Sequence, residues 1–115
     1  MAGESPQDAV NASRYTLTHT GIDVRTLLPY DERSRQEVYL LKLQPGAESI
    51  STPHRVGTME TLIVISGELD LFLNDQWQSL ESNSTFRFYA DQKHGYRNSG
   101  NQPVIFHNII TYDVM

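Results

Sequence analysis

From Tyr15 onward, apolar and polar residues alternate in short runs, and no stretch holds a convincing helical period. Tyr15–Thr20 sets Tyr15, Leu17 and His19 on one side and threonines on the other, the two-residue repeat of a half-buried strand. Ile22–Leu28 follows directly after Gly21, and the polar, charged stretch Pro29–Arg35 predicts a loop. Glu37–Leu43 is aliphatic, aromatic and β-branched, and stops at the turn signal Gln44-Pro45-Gly46. Met59–Ser66 is nearly all apolar, which predicts a strand buried on both faces or at the centre of a sandwich. After Gly67, Glu68–Leu73 turns Leu69, Leu71 and Leu73 to one side. Asn74-Asp75, residue types that tolerate positive φ, then predicts a tight hairpin into Gln76–Leu80. Ser84–Tyr89, His94–Asn98 and Val104–Tyr112 complete about nine strands.

Short strands with turn signals roughly every 8–12 residues predict an all-β sandwich or barrel. The lack of crossover helices excludes a parallel α/β sheet. Residues 1–13 hold no strong period and read as a flexible tail or linker remnant, leaving 14–115 as the folded domain. A length of 115 residues suits one domain, with no room for a second of about 50 residues or more, such as a helix-turn-helix module. The absence of cysteine excludes disulfide scaffolds, thiol catalysis and zinc ribbons. Fourteen acidic against nine basic residues give a net charge of -5, which argues against a nucleic-acid surface on this chain. The longest purely apolar run, Leu62–Ile65, is far short of the ~20 residues that span a bilayer. The polar opening lacks a basic segment followed by an apolar one, so the expectation is a cytoplasmic protein with no membrane contact.

Candidate chemistry rests on His54, Glu60 and His94. His54 lies in a loop, Glu60 near the start of the most apolar strand, and His94 at the start of a later one. Antiparallel strand ends can meet, and two imidazoles with a carboxylate suit Zn²⁺, Mn²⁺, Fe²⁺ or Ni²⁺. Spacing alone equally allows a solvated loop histidine, a surface glutamate and a hydrogen-bonding turn histidine.

Further motifs resemble a known family. Glu60, six residues and Gly67 resemble the second half of the first cupin motif, with Gly46 in the place of the glycine that opens it. His94-Gly95-Tyr96-Arg97-Asn98 resembles the end of the second cupin motif. The resemblance covers residues 36 to 112 and implies a double-stranded β-helix, a small jelly-roll barrel whose mouth holds a metal or ligand. Three customary ligand types remain, His54, Glu60 and His94, while Val56 stands in place of the second histidine of the first motif. Asn83 replaces a usual glycine, and asparagine tolerates the left-handed conformation a turn needs there. Tyr89 and Asp91 replace the usual proline and glycine.

Within cupins, Gly57-Thr58-Met59-Glu60, Tyr89-Ala90-Asp91 and the segment from His94 to Asn98 are most similar to the C-terminal sensor domain of XRE-type transcriptional regulators. That implies a domain that binds a small metabolite effector, with DNA contacted by a segment outside this chain. The alternative is a stand-alone metal-dependent cupin enzyme, an oxygenase or isomerase, using the same three ligands. Arg55, Arg87, Tyr96 and Asn98 are the candidate ligand-binding residues: the arginines to pair a carboxylate, Tyr96 and Asn98 because they share the strand face of His94. Phe86 and Phe88 read as core, Trp77 as packing, and His107, with Ile105 and Ile109, as interior. A homodimer through the edge strands Tyr15–Thr20 and Ile22–Leu28 is expected.

Overall fold

Two-residue alternation becomes strand along nearly all of the chain. The computed structural model describes residues 16–19 and 21–113, so the expected tail over residues 1–13 lies outside them. Ten strands form, and no helix appears among the described residues. They are β1 (Thr16–His19), β2 (Ile22–Asp31), β3 (Gln36–Leu43), β4 (Glu48–Ser51), β5 (Met59–Ser66), β6 (Leu69–Leu73), β7 (Gln76–Leu80), β8 (Thr85–Tyr89), β9 (His94–Arg97) and β10 (Val104–Thr111). A six-stranded sheet runs β1-β2-β3-β10-β5-β8 and a four-stranded sheet runs β4-β9-β6-β7, with every pair antiparallel.

The inner faces of the two sheets make the core. Leu43, Leu62, Val64 and Phe106 from the larger sheet meet Leu69 and Leu71 from the smaller, all essentially without solvent contact. The expected inward face of β6 forms as read, and Asn74 and Asp75 close its hairpin to β7 at φ 55° and 59°. Asn83 takes φ 68°, the left-handed turn its substitution for glycine requires.

Three expectations change. The segment Pro29–Arg35 is not all loop, because β2 continues through Pro29 to Asp31. Proline fits there because β2 pairs with β1 only up to Val24. Its pairing with β3 is also irregular between Thr26 and Asp31, so the missing N–H spoils no regular ladder. Glu48–Ser51, too short and polar to signal a strand, becomes β4 by pairing with β9. β5 is buried on one face only: Glu60, Leu62 and Val64 point inward, while Thr61, Ile63 and Ile65 lie on the outer face.

Gly67 links β5 to β6 at φ 79°, where an added Cβ would sit 2.6 Å from the carbonyl oxygen of Pro103. Gly46 has a similar φ of 87° but open space around it. Gly46→Ala should therefore lose only the conformational term, roughly 1–2 kcal/mol. Gly67→Ala adds a backbone clash and should lose clearly more, measured as the shift in urea unfolding midpoint of the two variants against the parent. Equal losses would contradict the close approach at Gly67.

Candidate functional site

The first inward position of β5 is Glu60, and it is 1% exposed. Its carboxylate spans the gap between the two sheets. On one side, Oε1 accepts hydrogen bonds from the Tyr96 hydroxyl of β9 and, at 3.0 Å, from Asn108 Nδ2 of β10. On the other side, Oε2 lies 3.2 Å from His54 Nε2 and 3.2 Å from His94 Nε2. The candidate ligand atoms of His54, Glu60 and His94 all fall within 4.8 Å of one another.

Each imidazole is placed by backbone. The loop of residues 52–58 is tied to the β8–β9 connection by three bonds: His54 N to Ala90 O at 2.9 Å, Ala90 N to Thr58 O at 2.8 Å, and Gly57 N to Asp91 Oδ2 at 3.0 Å. Asp91, where the family motif has glycine, thus braces the loop that carries His54. His94 opens β9 opposite Ser51 of β4 and Leu73 of β6. Its Nδ1 donates to the carbonyl oxygen of Gln92 at 2.8 Å, because a carbonyl can only accept. With the proton fixed on Nδ1, Nε2 is the nitrogen free to face a metal, the orientation that a backbone partner gives to ligating histidines. Phe88 closes the apolar side, its ring 5.5 Å from that of His94.

Electrostatics follow from burial and partners. Burial raises the Glu60 pKa, but the hydrogen bonds from His54, His94 and Tyr96 outweigh it and hold the carboxyl at about 2. Burial lowers the His94 pKa, and its bonds to Glu60 and the Gln92 carbonyl outweigh that and raise it. In its protonated form, Nε2 donates to Glu60; with a metal bound, the same nitrogen gives its lone pair. Proton and metal therefore compete for one atom.

The candidate ligand-binding residues separate. Tyr96 is buried against Glu60. Arg55 is exposed on the loop beside His54. Arg87 is exposed on the outer side of β8 and donates to Thr61 Oγ1 at 3.0 Å, so it does not join the cluster. Asn98 is buried but clamps a turn: Nδ2 donates to the carbonyls of Leu43 and Gln102, and Oδ1 accepts from Gly100 N. Val56, at the place of the second motif histidine, is 79% exposed. Phe86 and Phe88 pack at the core as read, and Trp77 also packs, its ring 5.1 Å from that of Phe72 and its centre 4.0 Å from the Arg97 guanidinium.

Sequence reading missed Asn108 and Glu37. Both break an otherwise apolar inward alternation, Val104-Phe106-Asn108-Ile110 in β10 and Glu37-Tyr39-Leu41-Leu43 in β3. The inward residues of β10 are the even-numbered ones, so His107, Ile105 and Ile109 face outward, half-buried, rather than into the interior. Reading β10 in the wrong phase hid Asn108, because a one-residue slip exchanges the two faces.

A barrel of two antiparallel sheets with two histidines and a glutamate converging between them defines a class, the cupins. The pattern described as "Cupin domain" matches residues 39–110, and the chain belongs to that family. It is 39% identical over 108 residues to the HTH-type transcriptional regulator SutR of Escherichia coli (strain K12), covering 94% of this chain and 61% of that protein. The chain thus spans about three fifths of this curated relative. Among solved structures, the Cupin_2 domain of an XRE family transcriptional regulator from Enterobacter cloacae superposes with a TM-score of 0.80 at 40% identity, covering 82% of this chain and 99% of that one. An HTH_3 family transcriptional regulator from Vibrio cholerae superposes with a TM-score of 0.84 at 27% identity, covering 91% and 59%.

Two tyrosines test the buried network. Burial and then the Glu60 charge raise the Tyr96 pKa well above the ordinary 10.0; burial and then the bond to Glu37 raise that of Tyr112. A raised pKa means the folded state holds the proton more tightly, so this stabilisation is complete below about pH 10 and is lost as pH rises. In a spectrophotometric titration, two of the six tyrosines should ionise only with alkaline unfolding. A single smooth titration of all six in folded protein would contradict the network.

Proposed function

We propose that this chain is the effector-sensing domain of a helix-turn-helix regulator, and that His54, Glu60 and His94 hold a divalent metal within it. The observation that carries the metal is the convergence of two Nε2 atoms on one glutamate oxygen, 3.2 Å each, at the junction of the two sheets. A nitrogen, nitrogen, oxygen set of this kind suits Zn²⁺, Mn²⁺, Fe²⁺ or Ni²⁺ and leaves coordination positions free for a ligand. A bound metal would supply Lewis acidity and a positive charge to orient that ligand. The similarity to regulators over nearly all of this chain supports the sensing role.

A cavity of about 140 Å³ lies between the sheets, walled by Val24 and Leu41 on one side and Ser49, Ser51 and Tyr96 on the other. Tyr96 joins it to Glu60, so a ligand there would be felt at the metal through one hydrogen bond. A wider surface depression, about 790 Å³ along residues 28–38, shares no residue with the cluster and offers no such link. Arg55 and Tyr96 are the residues proposed to meet the effector. Ligand binding would shift the balance between two arrangements of DNA-binding segments outside this chain.

The same reading pairs two copies of the domain. β1 is an edge of the larger sheet, whose outer face carries Leu40, Ile63, Ile105 and Ile109, half-buried, and Ile65, 44% exposed. Light scattering at high micromolar concentration should give twice the chain mass; a monomer there would overturn the pairing.

Chelator-treated protein should take up one equivalent of Mn²⁺ or Zn²⁺ and gain about 2.7 kcal/mol when free metal is a hundredfold above Kd. Glu60→Gln should abolish the gain. Calorimetric titration of metal-loaded protein against a panel of small metabolites should then find saturable binding. No metal-dependent stabilisation and no ligand from the panel would refute the reading, and turnover of a substrate that disappears in His94→Ala would replace it with an enzyme.

A further inference from the structure

Ladder register decides which side chains face the cavity between the sheets. In the larger sheet, Ile22 pairs with Leu43 and Val24 with Leu41. In the smaller, Ser49 pairs with Tyr96 and Ser51 with His94. Alternate residues of a strand share a face, so Ile22 and Val24 point the same way, as do Leu41 and Leu43, and Ser49 and Ser51. These six residues and Tyr96 line the cavity. Ile22, Leu43 and Tyr96 are buried and make its floor, whereas Val24, Leu41, Ser49 and Ser51 are half-buried and make its rim.

The two walls differ in chemistry. The wall on β2 and β3 is aliphatic and offers no hydrogen-bonding side chain, while the wall on β4 and β9 carries hydroxyls. The Tyr96 hydroxyl is given to Glu60. The hydroxyls of Ser49 and Ser51 have no side-chain partner among the described residues.

Charge is absent from the lining. No lysine, arginine, histidine, aspartate or glutamate borders this cavity. The wider depression along residues 28–38 includes Asp31, Glu32 and Arg33, and another holds Glu68 and Glu81. An ion set between the aliphatic side chains would lose its water and meet no counter-charge, which is costly. A pure hydrocarbon would displace water from the two serines and return no hydrogen bond.

Size sets the remaining limit. The volume is about 140 Å³. A cavity of about 150 Å³ lined by leucine, isoleucine and phenylalanine takes up benzene, so six heavy atoms is about the limit here. The cavity also lies beside the three-residue cluster without being lined by any member of it. Ser51 is one strand spacing, about 5 Å, from His94 in the β4–β9 ladder.

We infer that the cavity takes an uncharged, branched aliphatic group of about six heavy atoms bearing one hydroxyl or carbonyl oxygen, its carbons against Val24 and Leu41 and its oxygen on Ser49 and Ser51. This rests on the effector-sensing reading and adds the class of group that the effector buries.

Three probes with one carbon skeleton make the test. The full chain, ¹³C-labelled at its methyl groups, is titrated at pH 7 with 3-methylbutan-1-ol, 3-methylbutanoate and 3-methylbutylammonium. The methyl resonances of Val24 and Leu41 should move saturably with the alcohol, and the two ions should bind about tenfold more weakly or worse. Replacing both serines, Ser49→Ala with Ser51→Ala, should weaken alcohol binding about threefold or more. An ion that binds as tightly as the alcohol would overturn the inference, as would an alcohol response that never saturates or an unchanged affinity in the serine variant. Should that variant fail to fold, the three-probe comparison on the parent protein decides by itself. The metabolite panel on metal-loaded protein separates the two levels. A panel ligand that binds while the alcohol leaves Val24 and Leu41 unmoved removes the cavity inference and keeps the effector reading. Saturable alcohol binding with no ligand in the panel keeps the cavity as a binding site and counts against the sensing role.

Discussion

A carboxylate at 1% exposure is the constraint around which the rest of this barrel is arranged. Glu60 would be a severe cost in an apolar interior if any of its oxygens went unanswered. Its donors come from β9, from β10 and from the loop of residues 52–58, while Glu60 itself is on β5. Those elements belong to both sheets, so the carboxylate is satisfied only when the two sheets have closed in the right register. Packing of Phe106 against the Tyr96 ring, at 5.3 Å, ties the hydrophobic core to the same point.

That arrangement also gathers three side chains that could hold a metal ion. The two Glu60 oxygens divide the work: Oε1 is held by Tyr96 and Asn108, which fixes the carboxylate plane, and Oε2 is turned toward two imidazoles. The side chains behind a ligand orient it, and here they come from strands rather than loops. His54 is the exception, half-exposed on a loop, and the loop is pinned to Ala90 by the backbone of His54 and Thr58 and to Asp91 by Gly57 N. Val56, which stands where the motif has its second histidine, is on the solvent side, while Glu60 and His94 are buried.

Much of this was legible in the chain. The alternation of Leu69, Leu71 and Leu73, the Asn74-Asp75 hairpin and the turn at Asn83 are local features, and each formed as read. His54, Glu60 and His94 stood out by residue type and by resemblance, and they do converge. Other features were hidden for physical reasons. β4 is short and polar, and exists because β9 offers it a partner. Pro29 argues against a strand locally, yet the irregular β2 pairing lets it stay in one. Arg87 and Asn98 carry the right chemistry, but the side of the sheet and the turn they occupy send them elsewhere.

By itself the sequence determined the strand content, most strand boundaries and the three residues whose side chains converge, the first two because period-two patterning and turn residues act over a few neighbours. Only the tertiary structure decided which polar residues meet. Asn108 and Glu60 are 48 positions apart, and Glu37 and Tyr112 are 75 apart. Such pairs depend on strand order and register, β3-β10-β5 in one sheet and β9 facing it from the other, and no local pattern encodes that order. The chain wrote its buried acids as single breaks in apolar strands, and the closing of two sheets turned those breaks into a site.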